Sequence, residues 1–348
     1  MKAHHHTFNL PFQYPFTISS GTKTHQPTFI ASLEHMGKIG YGEAPAITYY
    51  NIPIEKMVAD FETRKAMVEK FAYTTPERYW HYLHHLFPMN NFLVCALDIA
   101  SWDMYGKISG KPLYQLWELD PEKSPLTDYT IGIDTIERMV EKMSARPWPV
   151  YKIKLGTSDD IGIVKALRKH TDAILRVDAN SGWTLEEALL KIPQLKELGV
   201  EFVEQPLHKE DWEGMKKLYK ESGLPLIADE ACVVEADVDK CRGYFHGINI
   251  KLTKCSGITP AIRMIEEARS YDMKVMIGCM NESSIGSAAI AHLASLADYI
   301  DMDGPLLLSE DIAEGLKIVN GKIVLSGYPG LGINFIGLPS ITSPSQKI

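Results

Sequence analysis

Three short apolar segments of the sequence each end in a carboxylate at nearly the same spacing. Asp178 follows ILRV, Glu204 follows EFV and Asp229 follows PLIA, so these acids lie 26 and 25 residues apart. If the segments are neighbouring parallel strands, the carboxylates meet at one end of the sheet, where they repel one another unless a cation lies between them. Because carboxylate oxygens suit Mg²⁺, we predict a Mg²⁺ site formed by Asp178, Glu204 and Asp229.

A second interpretation of these acids is structural. A single carboxylate at such a position more often caps the next helix or pairs with an arginine such as Arg176. Three carboxylates in register favour a metal site over three unrelated caps. The polar residues beside them would then hold the ligands in place or contact metal-bound water; these neighbours are Asn180, Gln205 and Glu230.

Lysines occupy the apolar segments on either side of the three acids. Lys152 and Lys154 alternate by two in YKIKL and therefore face one side of a strand, and Lys251 ends a later segment. A lysine inside an apolar strand is costly to bury without a purpose, so we predict functional roles for all three. Lys254 lies just past its segment, and we expect it to be an ordinary surface lysine.

The lysines would approach a bound substrate from opposite sides of the metal. A lysine base needs its pKa lowered from about 10.4 towards neutrality, which a neighbouring lysine and a divalent cation can do. Lys152 would in this way lower the pKa of Lys154. A metal-held carboxylate can accept the charge that forms when the adjacent α-proton leaves. The residues thus predict an enzyme that removes and returns a proton next to a carboxylate.

These residues require a scaffold of alternating strands and helices. From about Thr127 onward, eight apolar runs recur with starts 22 to 27 residues apart, each followed by a stretch of helical periodicity. So even a step is typical of a TIM-type (β/α) barrel, an α/β fold, rather than of a doubly wound open sheet. The predicted strands are DYTIGID from Asp128, VYKIKLG from Val150, ILRVDAN from Ile174, EFVEQP from Glu201, PLIADE from Pro225, GINIKL from Gly247, KVMIGC from Lys274 and DYIDMDG from Asp298.

The residues outside this repeat predict an α+β capping domain. A hairpin at Met36 would join FIASLEH to IGYGEA, and helical stretches run from Ile54 to about Lys107. An Asn-Gly pair at Asn320 is a strong hairpin signal, and we expect the chain to return there to the cap. The predicted division is a capping domain over residues 1–115, a barrel over residues 116–314 and a C-terminal segment over residues 315–348 that rejoins the cap.

Composition favours a small-molecule enzyme. The formal net charge is −8 and the basic residues are scattered, which argues against nucleic acid or an anionic membrane as a partner. No stretch approaches the roughly 20 apolar residues that span a bilayer. Five dispersed cysteines without CxxC spacing predict reduced thiols in a cytoplasmic protein. We expect the histidines His4 to His6 to be an expression remnant or a solvated terminus without a role.

Taken together, the motifs resemble those of the enolase superfamily, in particular its muconate lactonizing enzyme subgroup. The resemblance implies that the three acids bind Mg²⁺ and that Lys154 and Lys251 are the acid/base pair. It also implies that Lys152 assists Lys154 and the substrate carboxylate. Ser101 and Ser256 depart from the usual residues and affect the expected packing. The motifs are CALDIASWDMYGKISGKPLYQLW from Cys95, KIK at Lys152, DAN at Asp178, EQP at Glu204, ADE at Asp229 and IKLTKCSG at Ile250.

The eighth predicted strand narrows the reaction within that subgroup. Asp301 and Asp303 in IDMDGP resemble the DxD of dipeptide epimerases, which binds the substrate's α-ammonium. Thr130 is similar to a substrate contact in those enzymes. The alternatives for the two aspartates are a helix cap or an anchor for a loop lysine. For the whole protein they are an o-succinylbenzoate synthase, a cycloisomerase of the subgroup or a catalytically silent binding protein.

The residues of the predicted lid over the barrel indicate which dipeptide the enzyme prefers. Related enzymes that prefer Ala-Glu carry an arginine near residue 20, whereas FTISSGTKTHQ offers only Lys23 and His25 as cations. We therefore expect a dipeptide Ala-X with a small or neutral second residue, such as Ala-Ala, epimerised at the second α-carbon. Gly21 and the serines before it suit a flexible lid. A homo-oligomer is compatible with the sequence.

Overall fold

The structure is a computed structural model that describes residues 1–18 and 21–337. Ser19 and Ser20, which belong to the predicted lid, lie outside the described residues. So do the last eleven residues of the predicted C-terminal segment, 338–348.

A three-stranded antiparallel sheet and three long helices form the N-terminal part of the chain. Met36 and Gly37 turn the predicted hairpin with φ values of 49° and 71°, which suits a two-residue type I′ turn. The hairpin prediction is therefore confirmed. The elements are β1 (Lys2–Ile18), β2 (Gly21–His35), β3 (Lys38–Pro45), α1 (Ile54–Lys70), α2 (Pro76–Leu86), α3 (Asn91–Ser109) and the single turn α4 (Leu113–Leu116).

The backbone of the N-terminal histidines is part of this sheet, so these residues are not the free terminus that we expected, although the side chains of His4 and His6 are exposed to solvent. His4, His5 and His6 pair with β2 residues in the antiparallel ladder. The ring of His5 stacks on Phe29 with the ring centroids 5.3 Å apart. The backbone of all three is therefore paired within the fold, and the ring of His5 packs against its core.

Helix α3 packs closely on the sheet because two glycines of β3 lack a side chain. A Cβ atom at Gly40 or Gly42 would lie 2.1 Å from a carbonyl oxygen of α3, so any larger residue would push the helix away. The helix is buried on nearly all sides. Even so, none of the helices in the described residues combines the length and the apolar character needed to cross a membrane.

Eight parallel strands form the predicted barrel. The sheet runs in sequence order, and Thr127, just before its first strand, bridges to Ile300 in its last strand and closes the ring. All eight predicted strands are found, and the prediction of an enolase-like β/α barrel is confirmed. They are β4 (Tyr129–Ile131), β5 (Val150–Lys154), β6 (Ile174–Asp178), β7 (Val200–Glu204), β8 (Leu226–Ala228), β9 (Gly247–Lys251), β10 (Lys274–Gly278) and β11 (Tyr299–Asp301).

Helices follow the barrel strands, and side-chain caps fix where several of them begin. Thr184 accepts a hydrogen bond from the Glu187 backbone N–H while the Glu187 carboxylate accepts one from the Thr184 backbone N–H, a complete capping box. The helices are α5 (Ile136–Ala145), α6 (Asp160–Arg168), α7 (Leu185–Glu197), α8 (Trp212–Glu221), α9 (Val238–Cys241), α10 (Leu252–Cys255), α11 (Ile258–Ser270), α12 (Ser284–Leu293) and α13 (Gly304–Leu307).

Four short strands end the described chain: β12 (Ala313–Glu314), β13 (Lys317–Val319), β14 (Lys322–Val324) and β15 (Asn334–Phe335). The hairpin predicted at Asn320 joins β13 to β14 and is confirmed. It packs at the amino end of the barrel, where the Gly321 carbonyl accepts a hydrogen bond from the Thr127 N–H at 2.9 Å. Later residues reach the N-terminal sheet, since the rings of Phe335 and Tyr41 lie 4.8 Å apart.

Candidate active site

Three carboxylates meet at the carboxyl end of the barrel. Asp178 and Glu204 are the last residues of β6 and β7, and Asp229 directly follows β8. All three are buried, and each offers an oxygen within 4.8 Å of those of the other two. The expected convergence of these acids is therefore present. Arg176, the structural alternative, pairs instead with Asp128 at 3.0 Å.

One oxygen of each carboxylate is held by a fixed hydrogen-bond donor. The three donors are a backbone N–H, a side-chain amide and an ammonium group. The bonds run from the Asn180 backbone N–H to Asp178 Oδ1 at 2.9 Å, from Asn249 Nδ2 to Glu204 Oε1 at 2.7 Å and from Lys254 Nζ to Asp229 Oδ1 at 2.6 Å.

The other oxygen of each carboxylate faces a predicted lysine. The distances are 2.6 Å from Lys154 Nζ to Asp178 Oδ2, 2.7 Å from Lys152 Nζ to Glu204 Oε2 and 2.7 Å from Lys251 Nζ to Asp229 Oδ2. Lys154 ends β5 and Lys251 ends β9, and these strands are separated by three others in either direction around the ring. The two ammonium groups therefore stand on opposite sides of the barrel mouth.

Lys152 links three acidic groups beneath the mouth. Its Nζ lies 2.7 Å from Asp301, 2.7 Å from Glu204 and 3.3 Å from Asp178, and the side chain is fully buried. Burial lowers the pKa of this ammonium, but the charges of Asp301, Glu204 and Asp178, joined by Asp128, raise it well above its usual value. Lys152 consequently stays charged. It shares Asp178 Oδ2 with Lys154, which brings the two ammonium groups close together.

The carboxylate cluster fits a divalent cation. Glu204 Oε2 is buried and accepts no well-directed hydrogen bond, although Lys152 Nζ lies 2.7 Å away. Burial and then the charge of Asp178 raise the pKa of Glu204 to about 7. A cation bound beside this carboxylate would oppose both effects and favour its charged form. Three convergent oxygens with unused acceptor capacity are the donor set that Mg²⁺ prefers.

Two of the three neighbouring polar residues, Gln205 and Asn180, hydrogen-bond to the ligands, and the third, Glu230, accepts a hydrogen bond from Asn180. Gln205 Oε1 accepts hydrogen bonds from the backbone N–H of Asp229 at 3.0 Å and of Ala231 at 3.1 Å. Asn180 Nδ2 lies 3.3 Å from both Asp178 Oδ2 and Glu230 Oε1. Gln205 and Asn180 have positive φ values of 35° and 43°, so the backbone beside the ligands is strained, as is common at functional sites.

Asn249 was not predicted from the sequence. It lies in β9 two residues before Lys251 and is completely buried. Its amide orients Glu204, and Gly278 in the adjacent strand makes room for it. A Cβ atom at Gly278 would lie 2.6 Å from Asn249 Oδ1. The alternation of side chains in a strand could have indicated this residue, because positions 249 and 251 must face the same side.

Lys254 is not at the surface, so that expectation is wrong. The side chain is 1% exposed. Its Nζ donates to the carbonyl and Oδ1 of Asp229, both at 2.6 Å, and to the Asn249 carbonyl at 3.1 Å. The turn α10 begins directly after β9 and folds the Lys254 side chain back beneath the barrel rim.

The aspartates of the eighth strand lie beside this cluster. Asp301 ends β11, and Asp303 Oδ2 accepts a hydrogen bond from the Thr130 backbone N–H at 2.6 Å. Asp303 precedes α13 without a side-chain cap to it, which argues against the helix-cap alternative. Cys279, which the sequence analysis also missed, has its Sγ 3.7 Å from Asp303 Oδ1.

Six of the predicted site residues line one cavity of about 280 Å³ at the barrel mouth, whereas Lys152, Asp178 and Glu204 are not among its lining residues. The N-terminal sheet and the loop after it cover this cavity with apolar and aromatic side chains. The described residues that line it include Lys154, Lys251, Asp229, Asp301, Asp303 and Thr130 from the barrel and Phe16, Ile18, Lys23, Ile47 and Tyr50 from above. A larger groove of about 950 Å³ runs beside β12 and contains none of the predicted site residues.

The two residues that depart from the family motifs, Ser101 and Ser256, each have a hydrogen-bond partner in the capping helices or beside them. Ser101 and Tyr73 are joined by hydrogen bonds of 3.1 Å from Ser101 Oγ to the phenol and from the phenol to the Ser101 carbonyl. Ser256 has a φ of 77°, a left-handed conformation that costs roughly 1–2 kcal/mol for a residue other than glycine. The Trp80 indole N–H lies within hydrogen-bonding distance of Ser256 O, at 3.0 Å, and Oγ, at 3.1 Å, which offsets part of that strain.

Comparison with known proteins agrees with this architecture. Residues 3–117 match the family described as mandelate racemase / muconate lactonizing enzyme, N-terminal domain, and residues 134–336 match the enolase C-terminal domain-like family. An L-Ala-D/L-amino acid epimerase from Flavobacterium johnsoniae is 49% identical over 94% of this chain and 98% of its own length.

Solved structures of similar proteins match nearly the whole chain. A substrate-liganded complex of the L-Ala-D/L-Glu epimerase from Bacillus subtilis has a TM-score of 0.91 at 29% identity, covering 97% of this chain and 100% of that one. A dipeptide epimerase from Cytophaga hutchinsonii, complexed with Mg and D-Ala-L-Val, has a TM-score of 0.89 at 26% identity and covers 96% and 95%. The chain therefore belongs to the mandelate racemase / muconate lactonizing enzyme family of the enolase superfamily.

Proposed function

We propose that this chain is a Mg²⁺-dependent dipeptide epimerase that inverts the α-carbon of the C-terminal residue of small dipeptides. One observation carries the proposal: Lys154 and Lys251 face each other across a cavity that also contains the Asp301 and Asp303 carboxylates. Two opposed ammonium groups suit proton transfer at both faces of one carbon, and a carboxylate pair suits a substrate ammonium.

In this mechanism one lysine removes the α-proton and the other returns a proton to the opposite face. Asp178, Glu204 and Asp229 would hold the Mg²⁺, which supplies positive charge for the substrate carboxylate as negative charge develops on it. The positive charge of Lys152 holds Asp178, Glu204 and Asp301 together through ion pairs. The covering residues exclude water and so strengthen these electrostatic interactions.

The Asp301 and Asp303 pair favours an epimerase over the alternative reactions of the subgroup. A substrate of an o-succinylbenzoate synthase has no ammonium group to pair with these carboxylates. Asp301 Oδ1 is buried without a hydrogen-bond partner among the described residues, which leaves an acceptor for an N–H donor. The Thr130 backbone N–H orients Asp303, and Thr130 also lines the cavity, which supports a contact between Thr130 and the substrate.

Binding of the substrate ammonium should depend on pH through Asp303. Burial, and then the charge of Asp301, raise the pKa of Asp303 to about 6. The carboxylate is charged above that pH and becomes neutral as the pH falls through it, so attraction for the ammonium is lost on the acid side. At saturating Mg²⁺ we expect kcat/KM to fall about tenfold per pH unit below pH 6.

The matched control is Asp303→Asn. This variant should have a lower kcat/KM at neutral pH and no inflection near pH 6. An inflection that persists in Asp303→Asn would assign the acid limb to another group.

We propose Ala-X dipeptides with a neutral second residue as substrates. The name of the Flavobacterium johnsoniae relative supports alanine at the first position. Phe16, Ile18 and Ile47 give the cavity an apolar wall, which supports a small or apolar second side chain. Lys23 also lines the cavity, and burial lowers its pKa. It is therefore a weaker partner for a negatively charged second side chain than an arginine would be.

A panel of dipeptides in deuterated water tests both parts of this proposal. We expect a mass increase of one unit at the second α-carbon of Ala-Ala and Ala-Ser, and a racemised second residue on chiral analysis. Chelation of divalent cations should abolish both the mass increase and the racemisation. A higher kcat/KM for Ala-Glu would overturn the specificity and indicate that Lys23 binds a carboxylate. Exchange with no dipeptide would overturn the epimerase assignment and favour a synthase or cycloisomerase.

The domain division and the location of the protein are also proposals. The family matches over residues 3–117 and 134–336 support a capping domain over residues 1–115 followed by a barrel that begins at residue 116, and the contact between Phe335 and Tyr41 supports a return of the described end of the C-terminal segment to the cap. All five cysteines are buried and free, which supports a reducing, cytoplasmic environment.

A further inference from the structure

We infer that Lys254 is a positioning residue that sets the orientation of Asp229 and the spacing between the ends of β8 and β9. This inference rests on the proposed metal site, because its consequence is that Lys254 determines how tightly the three carboxylates hold a divalent cation. Lys254 does not line the cavity, and the role that we infer for it requires no contact with the substrate.

The ammonium of Lys254 fixes Asp229 at two points. It donates to the backbone carbonyl and to Oδ1 of Asp229, both at 2.6 Å. The backbone N–H of the same residue donates to Gln205 Oε1 at 3.0 Å. Backbone and side chain of Asp229 are thus held together, and Oδ2, which faces Lys251, is the oxygen left to face the cluster.

A third bond makes Lys254 a cross-link between two strands. Its Nζ also donates to the Asn249 carbonyl in β9 at 3.1 Å. Asn249 is the residue whose amide orients Glu204, so one ammonium group relates the positions of two predicted ligands. Loss of this cross-link should disturb both Asp229 and the Glu204 hydrogen bond.

The capping helices hold Lys254 in turn. Asn91 at the start of α3 donates from Nδ2 to the Lys254 carbonyl at 3.0 Å, and Trp80 of α2 bonds to Ser256. A fully buried ammonium is costly unless all its hydrogen bonds are made. Three acceptors match the three donors of this group, so its surroundings are built to retain it.

Binding of Mn²⁺ to the full-length protein, followed by the electron paramagnetic resonance of free Mn²⁺, tests this inference without relying on turnover. We expect Lys254→Met to raise the Kd for Mn²⁺ about 10–100-fold, the range found when groups that orient metal ligands are removed. Lys254→Arg should recover part of the affinity because it restores the charge and several donors.

The matched control is Lys107→Met. Lys107 also bonds a buried aspartate, Asp103 at 2.7 Å, and a backbone carbonyl, that of Ile39 at 2.9 Å, but it lies in α3 away from the ligands. This variant loses a similar set of interactions and should keep the Kd for Mn²⁺ within about twofold of the unmodified protein.

Asn91→Ala provides a second variant if Lys254→Met does not fold. It leaves the ammonium in place and frees the Lys254 backbone, so we expect a smaller, several-fold rise in the Kd. A folded Lys254→Met or, failing that, Asn91→Ala with unchanged Mn²⁺ affinity would overturn the role of Lys254 alone. Absence of Mn²⁺ binding by the unmodified protein would instead overturn the proposed metal site.

Discussion

Replacement of Lys154 or Lys251 with alanine is expected to lower kcat for dipeptide epimerisation by about 10²–10⁴-fold, the contribution of a positioned general acid or base. Each lysine serves a different face of the α-carbon, so both are needed for inversion. Each single variant should therefore fail to epimerise. It should still exchange the α-proton of whichever epimer presents its hydrogen to the remaining lysine.

Solvent exchange measured on the separate L- and D-epimers distinguishes this mechanism from one with a single base. The two variants should show opposite preferences for the epimer that exchanges. Lys274→Ala is the matched control, since this lysine begins β10 at the other end of the barrel and is half-exposed. Loss of exchange from the same epimer in both lysine variants would contradict the two-sided arrangement.

Glu204→Gln is expected to weaken Mg²⁺ binding more than any change outside the ligand set, by more than about 100-fold, because it removes a ligand charge. The protein should remain folded. Burial and Asp178 already raise the pKa of Glu204 to about 7, so a neutral side chain at this position is tolerated. Isothermal titration with Mg²⁺ and thermal unfolding measure the two effects separately.

Asp229→Asn should weaken the metal site and also destabilise the fold. Burial raises the pKa of Asp229, but Lys251 and Lys254 outweigh it and hold the pKa well below its usual value. The substitution leaves two buried ammonium groups without their carboxylate, a change that typically costs about 3–5 kcal/mol. Equal losses of stability in Asp229→Asn and Glu204→Gln would contradict this difference in charge balance.

The fold and most of the site could be predicted because their signals are local. Each strand carries its own apolar run, and the step between runs is set by the length of one strand and one helix. The ends of parallel strands meet at one edge, so Asp178, Glu204 and Asp229 could be placed together from their register alone. Lys154 and Lys251 followed from the same argument.

The missed features depend on contacts between distant segments. Lys254 was misplaced because a single helical turn after β9 folds its side chain inward, and nothing in IKLTKCSG distinguishes that turn from an exposed loop. The Asn320 hairpin was located correctly, but its packing against Thr127 at the amino end of the barrel depends on a partner about 190 residues earlier. The local sequence predicts where a turn forms and of which type, but it does not predict the surface against which the turn packs.

A crystal structure with Mg²⁺ and an Ala-X dipeptide bound is the measurement that tests the central claim most directly. The expected result is one metal ion bound by oxygens of Asp178, Glu204 and Asp229, with the second α-carbon of the dipeptide between the ammonium groups of Lys154 and Lys251. A metal ion bound elsewhere, or a dipeptide with both lysines on the same face of that carbon, would contradict it.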